Sequence, residues 1–323
     1  MDNERLSALA AIKLRGLLSE HLPETTFEVV SAGVGAAAII EDRAWLYQPG
    51  DDIDAVGPAL VWAAARQVAA VNIVVDDSQL AANALSGLSE SVQVWQASER
   101  TLIPVSASDL DPVTPSPADH PLWSALVDAD LDIVPDHGIW LGELWGLEVA
   151  RLTTDSTGPV IKLGVGAYDR GAFDALFPNS SPVDELPRVI DMVAGYRYAG
   201  AAPHLLNRLV HERWLRCVAT QDPSMVGLVS LEAIPGPFLR PGLHTNVPDA
   251  ALGDDADGNK VLVVFSAGLD TSVTAFAASL VGREQPDQIL FVSADTDRHD
   301  AIEASLQWLS LPAAWVTLPA PWQ

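Results

Sequence analysis

The sequence predicts an α/β protein: two α+β segments followed by a small C-terminal parallel unit. Three observations predict it. Continuous apolar runs at 261–265 and 289–292 read as strands buried on both faces of a parallel sheet. Apolar residues at helical spacing recur between such runs. Two proline-rich stretches, 109–121 and 234–260, read as linkers and leave segments of 1–108, 122–233 and 261–323. A chain of 323 residues, 49% hydrophobic and 19% charged, has ample material for more than one core, since domains usually take about 100–200 residues.

The first segment opens with a helix whose apolar face carries Leu6, Leu9, Ile12 and Leu17. Strands follow at 27–30, 36–40 and 44–47, then a helix over 60–70 with Leu60, Ala63, Ala64 and Val68 on one side. The apolar run 71–75 is a buried strand, 78–86 a helix, and 92–96 with 101–105 a closing hairpin. In the second segment the order returns: a short helix at 122–127, then strands at 131–134, 139–152 and 160–165. Helices follow at 169–176, 184–196 and 203–219. Helix, three strands and helix therefore occur twice, the pattern of an ancient duplication. The third segment reads as strand 261–265, helix 272–282, strand 289–292, helix 299–309 and strand 314–318, a three-stranded βαβαβ unit.

Charge narrows the function. Forty-three acidic against 18 basic residues give a net charge of −25, which repels phosphate backbones and argues against nucleic acid as a partner. No uninterrupted apolar run reaches the ~18–20 residues of a membrane span, and the start Met-Asp-Asn-Glu-Arg lacks the basic region of a signal peptide. A single cysteine, Cys217, excludes a disulfide framework and reads as a core thiol. The expectation is a cytoplasmic protein with a solubilising acidic surface. Only three lysines (Lys13, Lys162, Lys260) and abundant alanine fit a high-GC bacterial genome.

Three constellations carry chemistry. The first is Phe265-Ser-Ala-Gly-Leu-Asp-Thr-Ser-Val273 at a strand-to-helix junction, where backbone N–H groups and a helix N-terminus converge on one point. The plainer reading of the loop is that Asp270 or Thr271 caps the helix. The stretch resembles the Ser-Gly-Gly-x-Asp-Ser loop of the PP-loop ATP pyrophosphatases, argininosuccinate synthase above all. That resemblance implies ATP and Mg²⁺ as ligands, with Ser266, Gly268, Asp270 and Ser272 around the pyrophosphate. Ala267 departs from the pattern by adding a methyl where glycine allows close approach, and no lysine follows Lys260.

The second is Glu148 in the strand at 139–152, sharing a face with Leu144, Ala150 and Leu152. A hairpin centred near 156 sets Lys162 diagonally across from it, as an ion pair. The order helix–strand–strand–strand–helix resembles the PD-(D/E)xK nuclease core. Val160 stands where that core needs a metal-binding glutamate, so the resemblance implies a degenerate domain without nuclease activity.

The third is His204-Leu-Leu-Asn-Arg-Leu-Val-His-Glu-Arg-Trp-Leu-Arg216, in which Arg208, His211 and Arg216 offer an anion or partner site on a helix with few cationic rivals. Arg208/Glu212 and Glu212/Arg216 are i,i+4 pairs of an exposed face. The runs GLEVARL and HLLNRLVHERWL, with the C-terminal βαβαβ, resemble a set of conserved uncharacterised actinobacterial proteins; this resemblance implies no activity. Together these features favour a non-catalytic binding or interaction protein, acting on a protein partner or on a second copy of itself. The alternative is an ATP-binding enzyme using loop 266–272.

Overall fold

The computed structural model describes residues 3–49, 52–111, 120–156, 158–167, 169–171 and 180–322. Most of the first expected linker (112–119) and part of the helix expected at 169–176 lie outside them. The α/β class holds, with three sheets. Two compact units form, each from separated stretches: residues 1–111, 269–289 and 298–314 make one; 112–268, 290–297 and 315–323 make the other. These units cut across the three segments read from the sequence.

In the first unit, α1 (Asn3–His21) packs on a six-stranded sheet that runs in chain order. Its strands are β1 (Val30–Ala32), β2 (Gly35–Ile40), β3 (Arg43–Tyr47), β4 (Ala70–Val75), β5 (Val92–Ser98) and β6 (Thr101–Pro104). The β3/β4 and β4/β5 pairs are parallel and the others antiparallel. Crossovers through α2 (Asp52–Ala64) and α3 (Gln79–Leu85) make that possible. All six positions of β4 are buried, as an apolar run covered on both faces requires.

The buried stripe of α1 is Ser7, Ala10, Leu14, Leu17 and Leu18, whereas Leu9 and Ile12 are exposed. The expected face is therefore rotated: Leu17 stays on it, but Ala10, Leu14 and Leu18 join it in the core with Ala36 and Ala38 of β2. The unit is completed by α7 (Val273–Glu284), which packs against α2 and α3, and by α8 (Asp300–Ala304).

The second unit begins with α4 (Trp123–Asp128) and an antiparallel meander: β7 (Asp132–Asp136), β8 (Ile139–Leu144), β9 (Leu147–Asp155) and β10 (Gly158–Leu163). The single strand expected at 139–152 is a hairpin. Trp145 and Gly146 both have positive φ, 51° and 72°, the two-residue turn that matches strand twist. A Cβ on Gly146 would fall 2.4 Å from the Arg213 carbonyl, so the turn also needs glycine for close approach. Four antiparallel strands replace the three expected, so the repeated order and the nuclease-core order both fail at this sheet. Next, α5 (Pro182–Ala194) covers β8, β9 and β10.

The expected helix 203–219 is broken. A 3₁₀ turn spans Leu205–Arg208, Val210 is left-handed (φ 44°), and α6 runs only over His211–Gln221. The segment 234–260 is not simply a linker. It supplies β12 (Asp249–Asp254), which follows β11 (Ser230–Ile234) and pairs antiparallel with β13 (Lys260–Phe265). With β14 (Gln288–Ala294) and β15 (Ala313–Leu318) this gives a five-stranded sheet in chain order. The expected C-terminal unit of three parallel strands is thus extended by an antiparallel pair. α6 packs on β11, β12 and β13, with Leu215 and Ala219 in a core shared with Val263, Phe265 and Val292.

Candidate functional site

The sequence of α6 suggests an exposed amphipathic helix; the structure buries its polar side as well. Arg216, 1% exposed, donates from Nη2 to Glu143 Oε2 and from Nε to Asp249 Oδ2, both at 2.5 Å. Arg213 donates from Nη1 to Glu143 Oε1 at 2.9 Å, so one carboxylate on β8 is bridged by two guanidiniums. Glu212 is ion-paired with Arg240. Arg216 is therefore a structural cation and no part of a partner surface, which corrects the expectation built on Arg208, His211 and Arg216. Burial pushes the Glu143 carboxyl up against the opposing pull of Arg216 and Arg213.

Arg197 is wholly buried beside this network. It donates to the carbonyls of Trp145 (2.9 Å), Leu206 (2.7 Å) and Leu209 (3.0 Å) and lies over the Trp214 ring. Burial pulls its pKa down to about 10, so it stays cationic at neutral pH. It staples the broken helix to the β8–β9 turn, since its acceptors come from both.

Glu148 accepts Arg151 through Nε (2.6 Å) and Nη2 (2.8 Å), and Arg170 through Nη1 (2.6 Å). The residue opposite Lys162 in register is Arg151, not a diagonal neighbour of Glu148. The buried carboxylate is real, and its partners here are arginines. Cys217 is fully buried with Sγ 2.9 Å from Asp132 Oδ2; burial and that carboxylate push the thiol up, away from nucleophilic character.

Loop 266–272 follows β13 as expected, but its residues divide. Ser266 is 3% exposed and donates its N–H to the Val292 carbonyl (3.0 Å), continuing the strand pairing. Gly268, with φ 67°, donates its N–H to Asp297 Oδ2 at 2.8 Å. Asn246 Nδ2 holds the Ala267 carbonyl at 2.6 Å. Asp270 and Ser272 belong to the first unit, where Asp270 Oδ1 accepts from Ser272 N (2.8 Å) and Oγ (2.6 Å) in a side-chain turn just before α7.

Among the clefts on the second unit, two bring together residues from distant parts of the sequence. One, of about 260 Å³, is lined by Arg208, His211, His244, Thr245, Asn246 and Gly268 among others. It brings together residues from two constellations that are separate in sequence. Arg208 is exposed at its edge. The His211 ring lies flat on Trp322 (3.9 Å between centroids, 2° between planes), with Nε2 2.5 Å from the Asn207 carbonyl. Trp322 is thus folded onto its own chain. Burial lowers the His211 pKa.

The second cleft, of about 240 Å³, is lined by Arg151, Arg170, Arg213 and Arg240 with Asp136 and Glu148. Leu243 lines both clefts, on the strap 239–246. Sequence reasoning missed His244, Asn246 and Arg240 because prolines 235, 237, 241 and 248 marked the segment as a spacer. An arginine and a His-Thr-Asn run inside an otherwise acidic linker were the available signal.

Among the described residues no group of three or more His, Cys, Asp or Glu is placed to hold a metal, and no helix is long and apolar enough to cross a membrane. The fold and clefts define a mixed α/β protein with two basic-lined clefts in one unit. Set against known proteins, the chain matches no family model, no curated protein and no solved structure.

Proposed function

We propose that this chain is a cytoplasmic, non-catalytic binding protein whose Arg208 cleft takes a small phosphate-bearing anion. The observation that carries the reading is the convergence of Arg208, His211 and Gly268 in one cleft, although 60 residues separate Arg208 from Gly268 in the sequence. A guanidinium and a positive-φ glycine at a strand end supply the charge and the close approach that an oxyanion needs. Binding outranks chemistry because the reactive groups singled out in the sequence are engaged: Nε2 of His211 at a carbonyl, Asp270 with Ser272, the Cys217 thiol beside a carboxylate.

One feature favours the alternative, an ATP- or pyrophosphate-binding enzyme using loop 266–272. The Gly268 N–H already holds a carboxylate oxygen, that of Asp297, so this loop accepts an anionic oxygen at the position the PP-loop resemblance implies. Both readings are tested by a thermal melt with and without millimolar pyrophosphate, and with ATP and Mg²⁺. Ligand at ~100 times its Kd contributes about 2.7 kcal/mol, a rise of several degrees. Arg208→Ala is expected to abolish the rise. A flat response to both ligands overturns the anion-binding reading; a rise with ATP that Asp270→Ala removes selects the alternative.

A further inference from the structure

We propose that the second cleft, independent of the Arg208 cleft, is a binding site for a small dianion with carboxylate or phosphoryl oxygens. Four of the chain's 15 arginines meet there, in a protein of net charge −25. They come from β9 (Arg151), the segment after β10 (Arg170), α6 (Arg213) and the strap (Arg240), so the fold assembles the set from four places. Coulomb repulsion between guanidiniums opposes such a gathering unless acids compensate it. The compensating acids are unevenly placed. Asp136, an ion-pair partner of Arg213, and Glu148 line the cleft, whereas Glu143 and Glu212, the other partner of Arg213 and the partner of Arg240, have side chains 0% and 3% exposed and are not part of the lining. The open space therefore meets guanidinium more than carboxylate.

The arginines also keep unused capacity. A guanidinium carries five N–H donors. Glu148 takes two from Arg151 and one from Arg170, whose side chains remain 27% and 15% exposed. Nε of Arg213 is buried with no hydrogen-bond partner. Arg151 grips Glu148 side-on through two parallel bonds, which is the geometry that recognises planar carboxylates and phosphates alike. Stability alone is a weak reason for this arrangement, because desolvating several ions costs about as much as their attraction returns. Arginines with donors to spare, facing open volume from a rigid sheet and helix, are the equipment of oxyanion recognition.

The test is calorimetric titration of the full chain with succinate and, separately, with inorganic phosphate. Saturable binding of either is expected in the Arg208→Ala background, where the other cleft does not contribute, and is expected to be weakened at least tenfold by adding Arg170→Gln or Arg151→Gln. Each single variant leaves Glu148 one arginine, so the fold is expected to persist, checked by urea melts. The probe that binds more tightly tells carboxylate from phosphoryl ligands. Phenylglyoxal labelling with peptide mapping gives a second readout: the same ion should protect Arg151 and Arg170. No saturable heat from either ion overturns the proposal. So does binding that Arg208→Ala removes and Arg170→Gln leaves intact, which would assign the anion to the other cleft.

Discussion

At the scale of single residues, the side chains that matter here are those whose environment contradicts their type. Arg197, Arg213, Arg216, Glu143 and Glu212 are all buried, and each is explained by a named partner, never by exposure. His211 is the group with a usable titration. Burial and the charge of Arg197 lower its pKa from the ordinary 6.5, outweighing the Asn207 carbonyl and Asp297. The folded state then binds fewer protons than the unfolded one below that value, so stability is complete above pH ~6.5 and is lost as pH falls through it. Glu143 and Glu212, raised by burial, act in the opposite sense in the carboxylate range. A comparison isolates the histidine: urea melts of the wild type and of His211→Phe, which keeps a ring for Trp322, between pH 7.5 and 5.5. The wild type is expected to lose stability toward pH 5.5 faster than the variant; parallel curves would show that His211 does not titrate across this window.

At the scale of elements, α6 and the turn before it decide the second unit. The helical spacing of Arg208, Glu212 and Arg216 pointed to an exposed ladder, and the spacing was sound within α6. What sequence periodicity did not carry is the break at Val210, a β-branched residue in a left-handed conformation, where glycine or asparagine would have been the readable signal. With the helix broken, Arg208 stays outside while Arg216 enters the core between β8 and β12. Arg216→Ala leaves the buried Glu143 with Arg213 alone and takes this partner from the half-buried Asp249, and is expected to cost about 3–5 kcal/mol in urea unfolding. Arg208→Ala is expected to stay within ~0.5 kcal/mol, as exposed substitutions do. Equal effects for the two would contradict the burial difference. The β8–β9 hairpin was equally hidden: Trp145-Gly146 lacks the Asn-Gly or Asp-Gly signature, and the apolar run continued through it.

At the scale of the whole molecule, the chain builds each unit from three stretches, so no cut at a proline-rich segment frees an independent piece. Residues 1–111 lack α7, whose buried face includes Val273, Phe276, Ala277 and Leu280 and which packs on α2 and α3. Expressed alone, 1–111 is expected to expose that apolar surface. It should bind a hydrophobic dye and melt without the cooperative transition of the full chain, as followed by circular dichroism; a cooperative, dye-silent 1–111 would refute this. The comparison also shows how far the sequence carried. Composition, charge and apolar runs determined the α/β class, the strands β2 to β6, β13 and β14, and the core thiol of Cys217, because burial on both faces and period-two spacing are local properties of the chain. Only the tertiary structure decided which charges are buried, that Trp322 folds onto His211, and that Gly268 and four distant arginines line clefts. Those outcomes depend on which strands become neighbours, and pairing energies between residues dozens of positions apart leave no periodic mark in the sequence.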